Sequence, residues 1–131
     1  MIRKFACYLL VCLLVAGLAS PVLAYDANID KELRAIWSGL KSALAKHDTD
    51  KALSYIAVAN RQHYKEVYTA LGRHLPEVAR GMGDIQLITM EKTLAKYRQL
   101  SKKVNPGKQE DVTHYVYFIV DKDGVWRVFR Y

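Results

Sequence analysis

The four histidines are the first candidates for chemistry, because an imidazole both binds metal ions and exchanges a proton near neutral pH. They are His47, His63, His74 and His114. No two of them have the close spacing of a metal-binding pair on one helix or strand, and both cysteines, Cys7 and Cys12, lie near the start of the chain. We therefore predict no metal site and no cofactor, and we interpret His63 as an ordinary surface residue.

His114 is the strongest candidate for contact with a ligand. In the strand register derived below, it continues the apolar face formed by Val116 and Phe118 toward one end of a sheet. Tyr97, in a second strand, and Tyr64, on a helix, are expected to face the same space. We predict a pocket between the long helix and the sheet, lined by Tyr64, Tyr97 and His114. The alternative, which we favour for His114 itself, is a histidine at the edge of the core that bonds to a backbone group.

No catalytic motif accompanies these side chains. The glycines at 81 and 83 lack the strand and helix context of a phosphate-binding loop, and no serine lies in a nucleophile motif. We therefore predict no catalytic residue. Trp37, which a sugar or another ring could stack on, lies on the apolar stripe of a helix and is interpreted as part of the core.

The elements that must position these residues begin with helices. Apolar side chains recur at helical spacing and predict a first helix over residues 29–46 with Asn28 as its cap: Ile29, Leu33, Ile36, Trp37, Leu40 and Leu44. Thr49 or Asp50 is expected to cap a short second helix. A third helix is expected to end at Gly72, and a fourth to begin near Pro76 and end near Gly81.

Strands follow from Gly83 onward, where the apolar period changes from helical spacing to alternation. Two strands are predicted around residues 85–90 and 94–99, a third from Val112 to Asp121, and a fourth from Val125 to Tyr131. The chain is therefore predicted to be an α+β protein, with N-terminal helices packed on a curved antiparallel sheet of about four strands.

The last turn, Lys122 to Gly124, fixes the register of the final hairpin. Three residues ending in glycine suit a type I turn followed by a left-handed glycine, which pairs Val120 with Trp126 and Phe118 with Val128. The opposite face of this hairpin then also carries large side chains, namely Tyr115, Tyr117, Ile119 and Phe129. Because a monomer seldom exposes such a patch, we predict that these four residues form the interface of a homodimer.

Residues 1–24 have the pattern of a secretory signal peptide. Arg3 and Lys4 precede an apolar run of about 15 residues, which is shorter than the roughly 20 needed to cross a bilayer. Small residues then predict a cut after Ala24. We predict an exported protein, periplasmic or secreted, with a single domain over residues 25–131, no stable membrane span after cleavage and no cysteine left for a disulfide.

The charge of this domain is mildly basic. Without Arg3 and Lys4, 18 of the 20 Lys and Arg remain against 13 Asp and Glu, a net charge of +5. Because the positive charge is spread along the chain, we expect no nucleic-acid partner. The densest group is Lys96, Arg98, Lys102, Lys103 and Lys108. It could contact anionic lipid headgroups or surface polysaccharide, but a solvated edge and loop is the favoured interpretation.

This order of elements resembles the nuclear transport factor 2-like group of cystatin-like α+β folds, as an exported bacterial-type member. The resemblance rests on residues that open the second helix, lie in a middle strand and form the last strand: Asp50, Lys51, Ala52, Leu53, Ala95, Tyr97, Gly124, Trp126, Arg127 and Val128. It implies a cone-shaped domain with a pocket at its open end, often dimeric through the outer sheet face. It implies no single chemistry, because the group includes enzymes and non-catalytic modules.

Three functions remain open at this point. The leading one is a non-catalytic binding or accessory module that holds a small apolar or aromatic molecule or a protein partner. The second is a small isomerase-like or dehydratase-like enzyme, which requires an acid or base buried in the pocket. The third is an inhibitor or immunity-type protein that acts through its surface.

Overall fold

The computed structural model describes residues 26–100 and 113–131. The predicted signal peptide, residues 1–24, lies outside these ranges. So do Lys102, Lys103 and Lys108 of the basic group, and Val112 at the predicted start of the third strand.

Helices form the first half of the described chain. They are α1 (Ala27–Ala45), α2 (Thr49–Ser54), α3 (Arg61–Leu71) and α4 (Leu75–Gly81), with short 3-10 turns at Val58–Asn60 and Gly72–His74. α3 ends at Gly72 and α4 carries a proline in its first turn, as predicted. No helix in the described part of the chain is both long and apolar enough to cross a membrane.

The first two helices begin earlier than predicted, so their caps differ. The carboxylate of Asp26, not the side chain of Asn28, accepts hydrogen bonds from the backbone at Asn28 (2.9 Å) and Ile29 (3.2 Å). The carboxylate of Asp48, not the side chain of Thr49 or Asp50, caps α2. In both cases an acidic residue precedes the predicted cap and reaches a free N–H group two or three residues ahead.

The second half is a four-stranded sheet, which makes this an α+β protein as predicted. The strands are β1 (Ile85–Met90), β2 (Leu94–Gln99), β3 (His114–Val120) and β4 (Trp126–Arg130). They lie in the order β1-β2-β3-β4, and each pair of neighbours is antiparallel. The sheet is open, so β1 and β4 are its edges.

The final hairpin has the predicted register. Val120 pairs with Trp126 and Phe118 with Val128, while Gly124 adopts a left-handed φ of 78° at the turn. Beyond Phe118 the register shifts by one residue, so that Tyr117 pairs with Arg130. This bulge was not predicted, and it brings the Arg130 side chain beside Tyr117.

The helices cover one face of the sheet and form the core with it. The largest fully buried side chains come from both layers: Trp37, Tyr97, Phe118, Leu33, Leu40, Leu44, Ile56, Leu75, Val116 and Val128. Trp37 is therefore a core residue, as predicted, and its indole N–H donates to the Gly83 carbonyl oxygen over 2.9 Å. Gly83 has no room for a side chain, since a Cβ there would lie 1.5 Å from the backbone oxygen of Leu100. The end of β2 therefore packs directly on the segment that leads into β1.

The β4 edge is covered by the segment that follows α2. Ile56 forms a parallel bridge with Val128, and the backbone of Val128 bonds to Tyr55 and Ala57 over 2.8 Å each. The backbone N–H and C=O groups of Val128, in the middle of this edge, are therefore already paired within the chain.

Candidate functional site

A cleft of about 460 Å³ opens where α4 meets the end of β2 and the start of β3. Its described lining residues are Glu77, Val78, Gly81, Met82, Gln99, His114 and Tyr131. Gln99 and His114 are direct partners in the β2–β3 pairing, so the sheet places them side by side. The cleft therefore has apolar contacts from Val78 and Met82, a carboxylate from Glu77, and two polar side chains from the sheet.

The sequence of α4 explains its role as a wall. Leu75 and Ala79 are buried against the core, and this orients Glu77 and Val78 toward the exposed side of the helix. Val78 is 38% exposed. A helix of seven residues thus presents one face to the core and another to the cleft.

Tyr131 joins the cleft to a cluster of aromatic rings inside the protein. Its ring stacks on Tyr64, with centroids 5.0 Å apart and planes at 3°, and meets the edge of Trp37 at 5.5 Å. The hydroxyls of Tyr68 and Tyr131 form a 2.7 Å hydrogen bond. Such packing holds the Tyr131 ring in one position in the lining of the cleft.

Burial widens the pH range over which these phenols stay neutral. It raises the pKa of Tyr68 to about 12, even though the hydrogen bond from Tyr131 acts in the opposite direction. Burial also raises the pKa of Tyr131 and of Tyr64. At neutral pH the cluster therefore offers hydrogen-bond donors and acceptors but no negative charge.

The structure distributes the three predicted pocket residues over different places. His114 lines the cleft and is exposed, and its ring has no hydrogen-bond partner among residues 26–100 and 113–131. Tyr64 lies behind Tyr131 and bonds to it through the Tyr131 N–H, over 3.0 Å. Tyr97 is fully buried, because it lies in the middle of β2 under α1. Gln99, two residues further along the same face, is the β2 residue that reaches the cleft.

A buried charged group on α1 was missed by the sequence analysis. Asp30 is only 6% exposed, and it pairs with Arg34 over 3.0 Å and accepts a 2.6 Å hydrogen bond from the hydroxyl of Tyr97. Arg34 also donates to the backbone oxygen of Ile85. The group joins α1 to β1 and β2. A signal was present, because positions 30, 33, 37, 40 and 44 form a regular helical stripe in which Asp30 is the one polar member.

The second exposed feature is the side of the sheet that the helices leave uncovered, which we call the outer face. It includes the following residues of β2, β3 and β4: Leu94, Lys96, Arg98, Tyr115, Tyr117, Ile119, Arg127 and Arg130. Of the predicted interface residues, Tyr115 is 40% and Phe129 36% exposed, whereas Tyr117 and Ile119 are partly buried. The division into two faces is as predicted, and the dimer stays a prediction.

Cations lie on the tyrosines of the outer face. The ammonium of Lys96 is 4.2 Å from the ring centroid of Tyr115 and 5.6 Å from that of Tyr117. The guanidinium carbon of Arg130 is 4.7 Å from the centroid of Tyr117. These are distances at which a ring attracts a cation, so basic groups partly cover the patch that the sequence indicated as apolar.

Arg127 differs from the other cations of the outer face because two carboxylates neutralise it. It bonds to both oxygens of Asp123 over 2.7 Å each and to Asp121 over 3.1 Å. The hydrogen bonds from Arg127 lower the pKa of Asp123 to about 2. The pKa of Asp121 is also lowered, first by the N–H of Val58 and then by that of Lys122.

The acidic side chains near the cleft differ in exposure. Glu77 and His114 are both exposed, and the Glu77 carboxylate lies 3.8 Å from Nδ1 of His74 at the surface. The buried acid, Asp30, is bonded to Arg34 and Tyr97 and is not among the described lining residues. Within residues 26–100 and 113–131, no three His, Cys, Asp or Glu side chains are grouped so that they could hold a metal ion.

Fold and site together define a small α+β domain with an open cleft at one end of its sheet. Comparison with protein-family models, with curated proteins and with solved structures gave no match.

Proposed function

We propose that the protein is an exported, non-catalytic binding module whose ligand site is the cleft between α4 and the sheet. The cleft itself is the observation that carries this proposal. Its volume of about 460 Å³ lies within the range of small-molecule sites. The export rests on the signal-like residues 1–24.

The lining favours a small apolar or aromatic molecule with one polar end. Val78 and Met82 provide apolar contacts, and a methionine adapts its shape to a ring. Gln99 and His114 provide hydrogen-bonding groups on the opposite side. Tyr131 adds a well-supported aromatic ring to the lining, because Tyr64 and Trp37 pack against it.

Binding is preferred to the isomerase-like or dehydratase-like alternative because of where the titratable groups lie. Such an enzyme needs an acid or base that is shielded from water and held against its substrate. Among the titratable side chains of the described lining, Glu77 and His114 are open to solvent. The third, Tyr131, has its hydroxyl hydrogen-bonded to Tyr68, and burial raises its pKa. The structure holds Asp30 against Arg34 and Tyr97 instead.

A neutral fluorescent probe, N-phenyl-1-naphthylamine, tests the cleft. We expect its fluorescence to rise on binding, and the NMR signals of His114 and Gln99 to shift in the same titration. Val78→Lys should weaken binding by at least about tenfold, because it places a solvated charge in the apolar wall. Val58→Lys is the matched control, since Val58 is 56% exposed and is not among the described lining residues.

Two results would overturn the proposal. One is equal probe affinity in the wild-type protein and in Val78→Lys. The other is binding without any shift at His114 and Gln99, which would move the ligand site elsewhere. Circular dichroism spectra of both variants show whether a loss of binding comes from the cleft or from unfolding.

A further inference from the structure

The four strands carry basic side chains and no acidic ones. Among their residues are four Lys or Arg and no Asp or Glu. All four cations belong to the outer face: Lys96, Arg98 and Arg127 by alternation with core residues, and Arg130 through the register shift that pairs it with Tyr117. The described carboxylates that flank the strands, Asp84, Glu91, Asp121 and Asp123, lie outside the strands themselves. The outer face is therefore positively charged as a whole.

The strand register arranges these cations in rows with the tyrosines. Lys96, Tyr117 and Arg130 are direct partners across β2, β3 and β4, and Arg98 is the partner of Tyr115 in the adjacent row. Lys96 and Arg130 lie two strands apart. Since neighbouring strands are about 4.8 Å apart, the backbones at these two residues are about 10 Å from each other. Tyrosine rings fill the space between them.

Three of these cations have no acidic partner. Asp121 and Asp123 neutralise Arg127, but no carboxylate of the described residues pairs with Lys96, Arg98 or Arg130. Arg98 donates a hydrogen bond to the amide oxygen of Gln86 over 2.6 Å, but this acceptor carries no charge. Three positive charges on one open surface are thus available to an anionic partner.

Apolar side chains surround the same cations. Ile119 has two cross-strand partners, Leu94 on β2 and Arg127 on β4. The Leu94 side chain is 38% exposed. Phe129, 36% exposed, is next to Arg130. The outer face therefore combines positive charge, tyrosine and exposed apolar surface in one layer.

We propose that the outer face binds the surface of a membrane that carries anionic phospholipid headgroups. Lys96, Arg98 and Arg130 contact the phosphates, while Leu94, Phe129 and the tyrosines reach the boundary between headgroups and acyl chains. Tyrosine and long basic side chains are suited to that boundary, because each has an apolar body and a polar end. The contact is peripheral, and it is independent of the proposed ligand cleft at the end of the sheet.

The same observations disfavour the other occupants of this face. A soluble anionic polysaccharide offers charge but no apolar layer for Leu94 and Phe129. A second copy of the chain, packed by two-fold symmetry, brings Lys96, Arg98 and Arg130 toward the same three cations. Like charges repel at such a contact, whereas an anionic membrane complements them.

Sedimentation with lipid vesicles tests the proposal. We expect the protein to sediment with vesicles that contain phosphatidylglycerol, to stay in solution with pure phosphatidylcholine, and to be released by added salt. Each basic residue near an anionic surface changes the affinity about fivefold, so Lys96→Gln, Arg98→Gln and Arg130→Gln together should lower it by about 100-fold. Arg98→Gln alone, at an exposed position, should lower it about fivefold even if the triple variant folds poorly.

The control removes the same charge from the helical side. Lys31, Lys65 and Arg73 are exposed on the helical layer and make no ion pair with another described residue. Their combined change to Gln should leave vesicle binding within about twofold of wild type, the remaining effect being long-range charge. An equal loss in this control would overturn the outer face as the binding surface.

Two further measurements separate the alternatives. Leu94→Gln should weaken binding to vesicles but leave any binding to dextran sulfate unchanged. Binding to dextran sulfate without binding to vesicles would overturn the proposal in favour of a polysaccharide. Light scattering that shows a wild-type dimer, converted to a folded monomer by Tyr117→Lys, would overturn it in favour of a second copy.

Discussion

The two faces of the sheet are built from the same strands, yet their side chains have different surroundings. Phe118 and Tyr117 are neighbours in β3, but Phe118 is fully buried under the helices and Tyr117 lies beneath the side chain of Arg130. The inner face gains stability by removing aromatic surface from water. The outer face keeps its aromatic rings at the surface with cations on them. Alternation along one strand thus places neighbouring aromatic rings in opposite surroundings.

The same contrast appears in the two ion pairs. Asp30 is buried between Arg34 and Tyr97 and joins a helix to two strands. Arg127 and Asp123 lie in one hairpin at the surface. A buried charge that loses its partner is strongly destabilising, whereas a surface pair contributes little. The inner group should therefore be the more sensitive to substitution.

The largest expected effect is on the inner face of β3. Phe118→Ala should lower the free energy of unfolding by about 3 to 5 kcal/mol, because it leaves a cavity beside Tyr97. Tyr117→Ala is the matched control, one residue away on the outer face. It should cost about 1 kcal/mol or less. Urea unfolding followed by circular dichroism measures both, and similar losses in the two variants would contradict the division of the sheet into two faces.

The next effect is at the buried acid. Asp30→Asn keeps the size of the side chain but removes its negative charge from Arg34 and Tyr97, so we expect a loss of about 1.5 to 3 kcal/mol. Tyr97→Phe removes only the hydroxyl and leaves the Asp30–Arg34 pair, and should cost about 1 kcal/mol. Urea unfolding of both variants at neutral pH checks this order. A neutral or stabilising Asp30→Asn would show that the charge is not needed to hold α1 on the sheet.

The smallest effect is at the surface pair, and it depends on pH. The pKa of Asp123 is lowered from 3.8 to about 2, so its contribution to stability is complete above about pH 4 and is lost as the pH falls toward 2. Wild type should therefore be slightly more stable than Asp123→Asn at neutral pH, and the difference should vanish near pH 2. Repeating the comparison with Arg127→Gln present in both proteins should reduce the difference at neutral pH. A difference that is the same at every pH would rule out this ion pair as its cause.

Local sequence determined the elements and the final register. The change from helical spacing to alternation placed α1 to α4 and β1 to β4 within a few residues, and the turn ending at Gly124 set the pairing of Phe118 with Val128. These features depend on residues close together in the chain, and their patterns are periodic. The export signal, the nuclear transport factor 2-like resemblance and the dimer stay predictions.

Tertiary structure decided which side chains meet. The burial of Asp30, the position of Arg130 beside Tyr117, and the meeting of Gln99 and His114 with α4 all join parts of the chain that are distant in sequence. The bulge, which shifts the β3–β4 register between Phe118 and Tyr117, moves Arg130 by one position along β4. An alternation pattern does not record such a shift. Tyr97 lies on the inner face, as predicted, but it is too far from the end of the sheet to reach the cleft and packs in the core instead. Gln99, two residues nearer that end, lines the cleft. Periodicity gives the face on which a residue lies, and only the packing of the layers determines what that face contacts.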